Sequence, residues 1–260
     1  MGDRKTALIT GASVGIGKEF AHIFARQNYD VVLVARSRDK LEQLAAELPA
    51  KYGIRALAMT ADLSTASSPQ QIFDETTKAG LQIDVLVNNA GFGQFGNFVE
   101  NDLNECLQQI QLNITTLTHL TRLYLPGMVA RRWGRVLNVA STAAFQPGPR
   151  MAVYYATKSY VLLFSEAIAN ELRATGVTVT CLCPGVTTTE FHKRAKMQSA
   201  RLMKFGSMNP ATVAEQGYRG MIAGKPVVIA GFKNWLVAQS VRFAPRKWVT
   251  AMAGKANEVS

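Results

Sequence analysis

Short apolar runs rich in β-branched residues alternate along this chain with longer segments whose apolar positions recur at helical spacing. The short runs predict strands at 6–10, 31–34, 54–59, 85–88, 136–140, 177–183 and 226–230. They are continuously hydrophobic, as expected of parallel strands covered by helices on both faces. The intervening segments predict helices at 17–27, 38–48, 69–79, 102–130, 152–175 and 210–223. Repeated strand–helix–strand units imply an α/β fold, a single doubly wound parallel sheet of about seven strands with helices on both faces. No linker, internal repeat or low-complexity stretch interrupts this rhythm. Residues 1–231 therefore read as one domain, with 232–260 as a basic amphipathic C-terminal extension of it. In open α/β sheets ligands bind outside the carboxyl ends of the strands. The long loop 187–209, after the sixth strand, is accordingly expected to act as a lid over the site.

Composition narrows the class. With 48% hydrophobic and 18% charged residues among 260, the chain can fill a core and carries no signature of disorder. Cys181 and Cys183 share a face of one strand and are too constrained to bridge, so with Cys106 they read as buried thiols in a reducing compartment. Asp3, Arg4 and Lys5 lead straight into the first strand without the pattern of a secretory leader, and no run approaches the roughly 20 apolar residues of a membrane span. A cytoplasmic location is expected. His22, His119 and His192 lack metal-ligand spacing, and no metal site is expected. The net charge of +11 is lopsided: residues 1–130 carry 11 Lys and Arg against 13 Asp and Glu, residues 131–260 carry 18 against 5. Such asymmetry suits nucleic acid or membrane, but also anionic cofactors and substrates. The motifs favour the latter, and no nucleic-acid partner is expected.

After the first strand comes Thr10-Gly11-Ala12-Ser13-Val14-Gly15-Ile16-Gly17, which opens a helix. The spacing is not G-x-G-x-x-G, yet the physics is shared: Gly11 permits a tight turn, Gly15 lets backbone approach a pyrophosphate, and Gly17 lets the helix pack on the strand. The helix N-terminus offers free N–H groups to phosphate. At the end of the second strand an NAD site wants a carboxylate for the ribose, and an NADP site wants a cation for the 2′-phosphate. Here stand Arg36 and Arg38, with no acid before Asp39, so NADP(H) is expected rather than NAD(H). Asp62 and Leu63 follow the third strand, where a carboxylate can meet the adenine amino group, and the turn Asn88-Asn89-Ala90-Gly91 follows the fourth. Further on, Tyr154 and Lys158 share a helix face at i and i+4. A phenol near pKa ~10 is a weak acid–base catalyst, and a neighbouring ammonium can lower it by roughly 1–3 units.

These residues in this order resemble the short-chain dehydrogenase/reductase family over residues 4–231. The matches are T-G-A-S-V-G-I-G at 10–17, Asp62, N-N-A-G at 88–91, Asn113, Ser141, Y-Y-A-T-K at 154–158 and P-G-V-T-T-T at 184–189. The resemblance implies a Rossmann-type oxidoreductase that interconverts a carbonyl, ketone or aldehyde, and an alcohol by hydride transfer. Ser141 would polarise the carbonyl, Tyr154 act as general acid/base, Lys158 hold the ribose and depress the phenol pKa, and Asn113 hold a water for proton resupply. Cofactor contacts would come from Gly11, Ser13, Gly15, Ile16, Gly17, Arg36, Asp62, Leu63, Asn89, Ala90, Gly91, Tyr154, Lys158, Pro184, Gly185, Thr187 and Thr189, although Thr187 replaces the usual aliphatic residue. The ketoacyl reductases of fatty-acid synthesis carry a D-G-G near the last strand; residues 225–233 have none, which resembles a bacterial branch of broad carbonyl reductases. A small apolar carbonyl substrate and a homo-oligomer, dimer or tetramer, are implied. The alternative is a catalytically weak NADP(H)-binding regulatory or redox-sensing protein, against which the intact Asn113, Ser141, Tyr154 and Lys158 argue.

Two segments stay open. The lid interleaves Phe191, Met197, Leu202, Met203, Phe205 and Met208 with Lys193, Arg194, Lys196, Arg201 and Lys204. Its apolar groups suit an adaptable cover over a hydrophobic substrate, and its cations suit either an anionic substrate or a solvated helix face. The tail 231–260 sets Trp235, Phe243 and Trp248 among Lys233, Arg242, Arg246, Lys247 and Lys255. Packing on its own domain or between copies is favoured over peripheral contact with an anionic membrane.

Overall fold

Along β1 (Thr6–Thr10) successive side chains part to opposite faces of the sheet. Ala7 and Ile9 enter a cluster with Phe20, Phe24, Leu41 and Val213, while Leu8 enters one with Ile72, Leu120, Tyr124 and Met128. Each face thus owns its helical layer, which is why the strand sequences show no polar alternation. In this computed structural model residues 4–191, 195, 201 and 206–258 are described. The remaining strands are β2 (Asp30–Ala35), β3 (Ala56–Thr60), β4 (Ile83–Asn88), β5 (Gly134–Val139), β6 (Val177–Cys183) and β7 (Val227–Ile229). They form one parallel sheet in the order β3-β2-β1-β4-β5-β6-β7. The order reverses between β1 and β4, and a crevice opens there at the carboxyl edge.

Among the described residues the α-helices are α1 (Gly15–Arg26), α2 (Arg38–Tyr52), α3 (Ser68–Lys78), α4 (Leu103–Ile110), α5 (Leu117–Ala130), α6 (Ala152–Glu171), α7 (Pro210–Ile222), α8 (Phe232–Ser240) and α9 (Arg246–Ala256). Three expectations need correction. The edge strands β3 and β7 are only partly covered, and Leu57 is exposed, because one neighbour is missing on their outer side. The single helix expected at 102–130 is broken by a wide π-type turn, Gln111–Thr116, centred on Asn113. α6 ends at Glu171 rather than 175, since Gly176 takes φ 83° to turn the chain into β6. Cys181 and Cys183 bring their Sγ atoms to 3.8 Å and stay unbridged, as expected, and all three cysteines are buried.

Candidate active site

The glycine turn is held open from below. Gly11 has φ 65°, and Asn89 clasps it by donating its carboxamide to the carbonyls of Thr10 (2.9 Å) and Gly11 (3.2 Å). Thr10 Oγ1 in turn accepts from the N–H groups of Asn89 and Ala90. A Cβ on Gly17 would run into the Gly11 carbonyl, so only glycine lets α1 begin this close to β1. The result is a bare-backbone cradle at a helix N-terminus, which fits a dinucleotide pyrophosphate. Arg36 lies at its far end, with Nη1 4.0 Å from Asp62 Oδ2, and Asp62 also accepts from Ser64. Ser37 and Glu190 line the same wall, and Lys40 reaches Glu190 at 3.1 Å, tying the start of α2 to the loop after β6.

One cavity of about 1510 Å³ runs from this cradle past Ser141 and Tyr154 to α8 and α9. Of the expected site residues, Gly11, Ser13, Gly15, Ile16, Arg36, Asp62, Leu63, Asn89, Ala90, Gly91, Ser141, Tyr154, Lys158, Pro184, Gly185, Thr187 and Thr189 line it. Gly17 and Asn113 stand behind the wall. Asn113 acts as a strut: its Nδ2 donates to Phe92 O (2.9 Å) and Thr157 Oγ1 (3.0 Å), and its Oδ1 accepts from Phe92 N–H. It therefore joins the turn after β4 to the helix that carries Tyr154 and Lys158.

Ser141 caps a short turn after β5, its Oγ accepting from Ala143 N–H at 3.1 Å, and it hydrogen-bonds Tyr154. Lys158 is buried, donates from Nζ to Val139 O at 2.8 Å, and lies 5.8 Å from the centroid of the Tyr154 ring. Its pKa falls to about 8, because burial penalises the ammonium more than the nearby Cys181 and Cys183 favour it. The expected lowering of the Tyr154 pKa is not what the protein groups produce. Burial, the largest influence, pushes the phenol up and outweighs the hydrogen bond from Ser141. Tyr154 is thus held in its neutral, protonated form.

In the loop after β6, Thr187 bridges to Met208, and Thr187, Thr189, Phe191 and Met208 all line the cavity. The other lid residues singled out from sequence, 192–194, 196–197 and 202–205, lie outside the described residues. Apart from Phe191, which the sequence places in the lid, no sequence signal put the next lining groups in the cavity. Met151, Phe191, Val237, Met252 and Ala256 give the far end an apolar wall, and Asn234 of α8 sits where a Cβ on Gly185 would stand. A D-G-G gap in the sequence hinted at a different ending here, but not that α8 and α9 would wall the cavity.

The family described as short chain dehydrogenase matches residues 5–200. A very-long-chain 3-oxoacyl-CoA reductase of Pyrenophora tritici-repentis is 34% identical over 242 residues, which is 90% of this chain and 71% of that protein. A short-chain dehydrogenase from Sphingobium yanoikuyae in complex with NADPH superposes with a TM-score of 0.83 at 32% identity, over 92% of this chain and 94% of that one. The bulky-bulky ketone specific alcohol dehydrogenase from Comamonas testosteroni gives 0.78 at 28% identity, over 92% of each chain. The chain belongs to the short-chain dehydrogenase family, and its site is built for a nicotinamide cofactor. These relatives do not single out the bacterial carbonyl-reductase branch expected from the sequence.

Proposed function

We propose that this oxidoreductase uses NADPH to reduce the ketone of a substrate with a long apolar tail, a 3-oxoacyl thioester being the best fit. The observation that carries this reading is the single cavity, with a phosphate cradle and Arg36 at one end, Ser141 and Tyr154 in the middle, and an apolar chamber beyond. The 3-oxoacyl-CoA reductase relative supports the substrate class. The glycine cradle would hold the cofactor's pyrophosphate, and the reduced nicotinamide would supply the hydride. Arg36 holds the 2′-phosphate, with Ser37 beside it as a further donor. Ser141 and Tyr154 direct O–H groups at the carbonyl oxygen and stabilise its developing charge. Tyr154 then gives up its proton to the alkoxide. Lys158 steadies the phenolate left behind, and Asn113 keeps α6 in register with the turn after β4 while the proton is replaced from solvent.

The exposed apolar face formed by Leu103, Leu107 and Ile110 of α4 with Leu163 of α6 supports a homo-oligomer. The three buried free thiols suit a reducing, cytoplasmic setting. The deciding assay follows NADPH and NADH oxidation with 3-oxoacyl-CoA of increasing chain length beside short and bulky ketones. A kcat/KM that rises with chain length on NADPH is expected. Preference for bulky ketones would move the substrate class, and no turnover with any carbonyl would favour a regulatory, cofactor-binding role.

A further inference from the structure

The tail turns its small residues inward and its bulkiest ones outward. Ala238, Val249 and Ala253 are buried, and Asn257 is anchored by donating to Pro149 O at 3.0 Å and to the Tyr155 hydroxyl at 3.3 Å. Phe243 is 89% exposed, Met252 71% and Trp248 68%. Phe232 and Trp235 are exposed as well, stacked on one another with centroids 6.0 Å apart. Within one chain, then, the small residues pack on the domain and the large ones do not, which leaves the large ones to a partner surface. Residues 231–260 also carry Lys233, Arg242, Arg246, Lys247 and Lys255 against one acid, Glu258. Glu258 pairs with Arg201 at 3.1 Å, and among the described residues none of the five tail cations enters an ion pair.

An apolar face of this extent marks an interaction surface. A second copy is a poor cover, because a two-fold contact sets the patch against itself and brings these five cations against the same five. An anionic bilayer matches both features. Helices of 9 and 11 residues are far too short to cross it but can lie flat, with aromatic and aliphatic groups below the headgroups and cations among them. We infer that α8 and α9 form a docking surface for an anionic lipid bilayer. Val237 and Met252 belong at once to this exposed face and to the cavity wall. On the reductase reading above, an apolar chain lying against Tyr154 passes here between cavity and lipid without crossing water.

The test is flotation of the full chain with phosphatidylcholine vesicles, with or without about 30% phosphatidylglycerol, alongside tryptophan emission. Binding to the anionic vesicles is expected, with a blue shift, and it should weaken about tenfold or more between about 50 and about 500 mM salt. Phe243→Ser with Trp248→Ser, and separately Arg246→Glu with Lys247→Glu, should each weaken it about tenfold or more. Both double variants should keep wild-type circular dichroism and wild-type turnover of a water-soluble carbonyl, since none of the four residues lines the cavity. Absence of wild-type binding overturns the proposal, as does binding that ignores lipid charge and both variants. So does a wild-type oligomer that the Phe243→Ser, Trp248→Ser variant dissociates, which would assign the face to another copy. Vesicle binding needs no turnover, so failure of the substrate reading and failure of the docking reading remain distinguishable.

Discussion

The two ends of the cavity recognise their ligands by different physics. At the dinucleotide end the wall is backbone: Gly11 at positive φ, Gly17 with no room for a Cβ, and the Asn89 carboxamide holding the carbonyls of Thr10 and Gly11. At the far end the wall is side chain: Met151, Phe191, Val237 and Met252, drawn from segments a hundred residues apart in sequence. A backbone wall presents N–H groups in one fixed geometry, so almost any substitution disturbs it. A wall of flexible apolar side chains can be re-cut without disturbing the sheet that supports it. The contrast shows how one scaffold can keep its cofactor while its substrate varies.

The residues between the two ends should show the largest effect. Tyr154→Phe should lower kcat by about 10²–10⁴ while NADPH affinity measured by fluorescence stays near wild type, because the ring remains and only the proton donor goes. Near-normal turnover by this variant would refute the assignment of the proton donor. At the dinucleotide end, Arg36→Asp should lower the NADPH-over-NADH ratio of kcat/KM by about 10–150-fold, the worth of one or two charge-assisted hydrogen bonds. A wild type that uses both cofactors equally would remove the case for Arg36.

Gly17→Ala probes the backbone wall itself. Its methyl meets the Gly11 carbonyl, so thermal denaturation should show a loss of about 1–3 kcal/mol together with weaker cofactor binding. Met252→Ala, at the opposite end, should leave stability and NADPH binding nearly unchanged. It should cost about three- to tenfold in kcat/KM for long acyl chains and little for short ones. If both glycine and methionine variants damaged cofactor binding alike, the distinction between the two walls would fail.

The smallest expected effect is in pH. Burial sets Lys158 to about 8, so its ammonium is present below that value and lost as pH rises through it. On the proposed mechanism, reduction would leave a phenolate on Tyr154 that the ammonium stabilises, and kcat for reduction should therefore be level below about 8 and decline above it. A profile flat across that range would place the working proton elsewhere than this pair.

Much of this molecule was written in local pattern. The predicted strands match their observed ends within two residues, because an inner strand buried on both faces must be continuously apolar, a condition visible without knowing its neighbours. The cradle was equally legible, since glycine at 11, 15 and 17 answers to backbone geometry that no other residue satisfies. Tyr154 and Lys158 were legible because four residues on one helix face is a local spacing.

What the tertiary structure alone decided depends on which groups meet across the fold. It made Asn113 a strut behind the wall rather than part of it, by opening a π-type turn where the sequence predicts plain helix. It pushed the Tyr154 pKa up rather than down, because desolvation depends on everything packed around the phenol and outweighs the Ser141 hydrogen bond. It brought α8 and α9 against the catalytic cavity while leaving Phe243 and Trp248 in the open, a division the amphipathic pattern of 231–260 does not contain. Local pattern records how each segment satisfies its own backbone and its own buried face. Burial of a charge, and the choice of which apolar group stays outside, are properties of surfaces assembled from distant segments, so they exist only once the chain has folded.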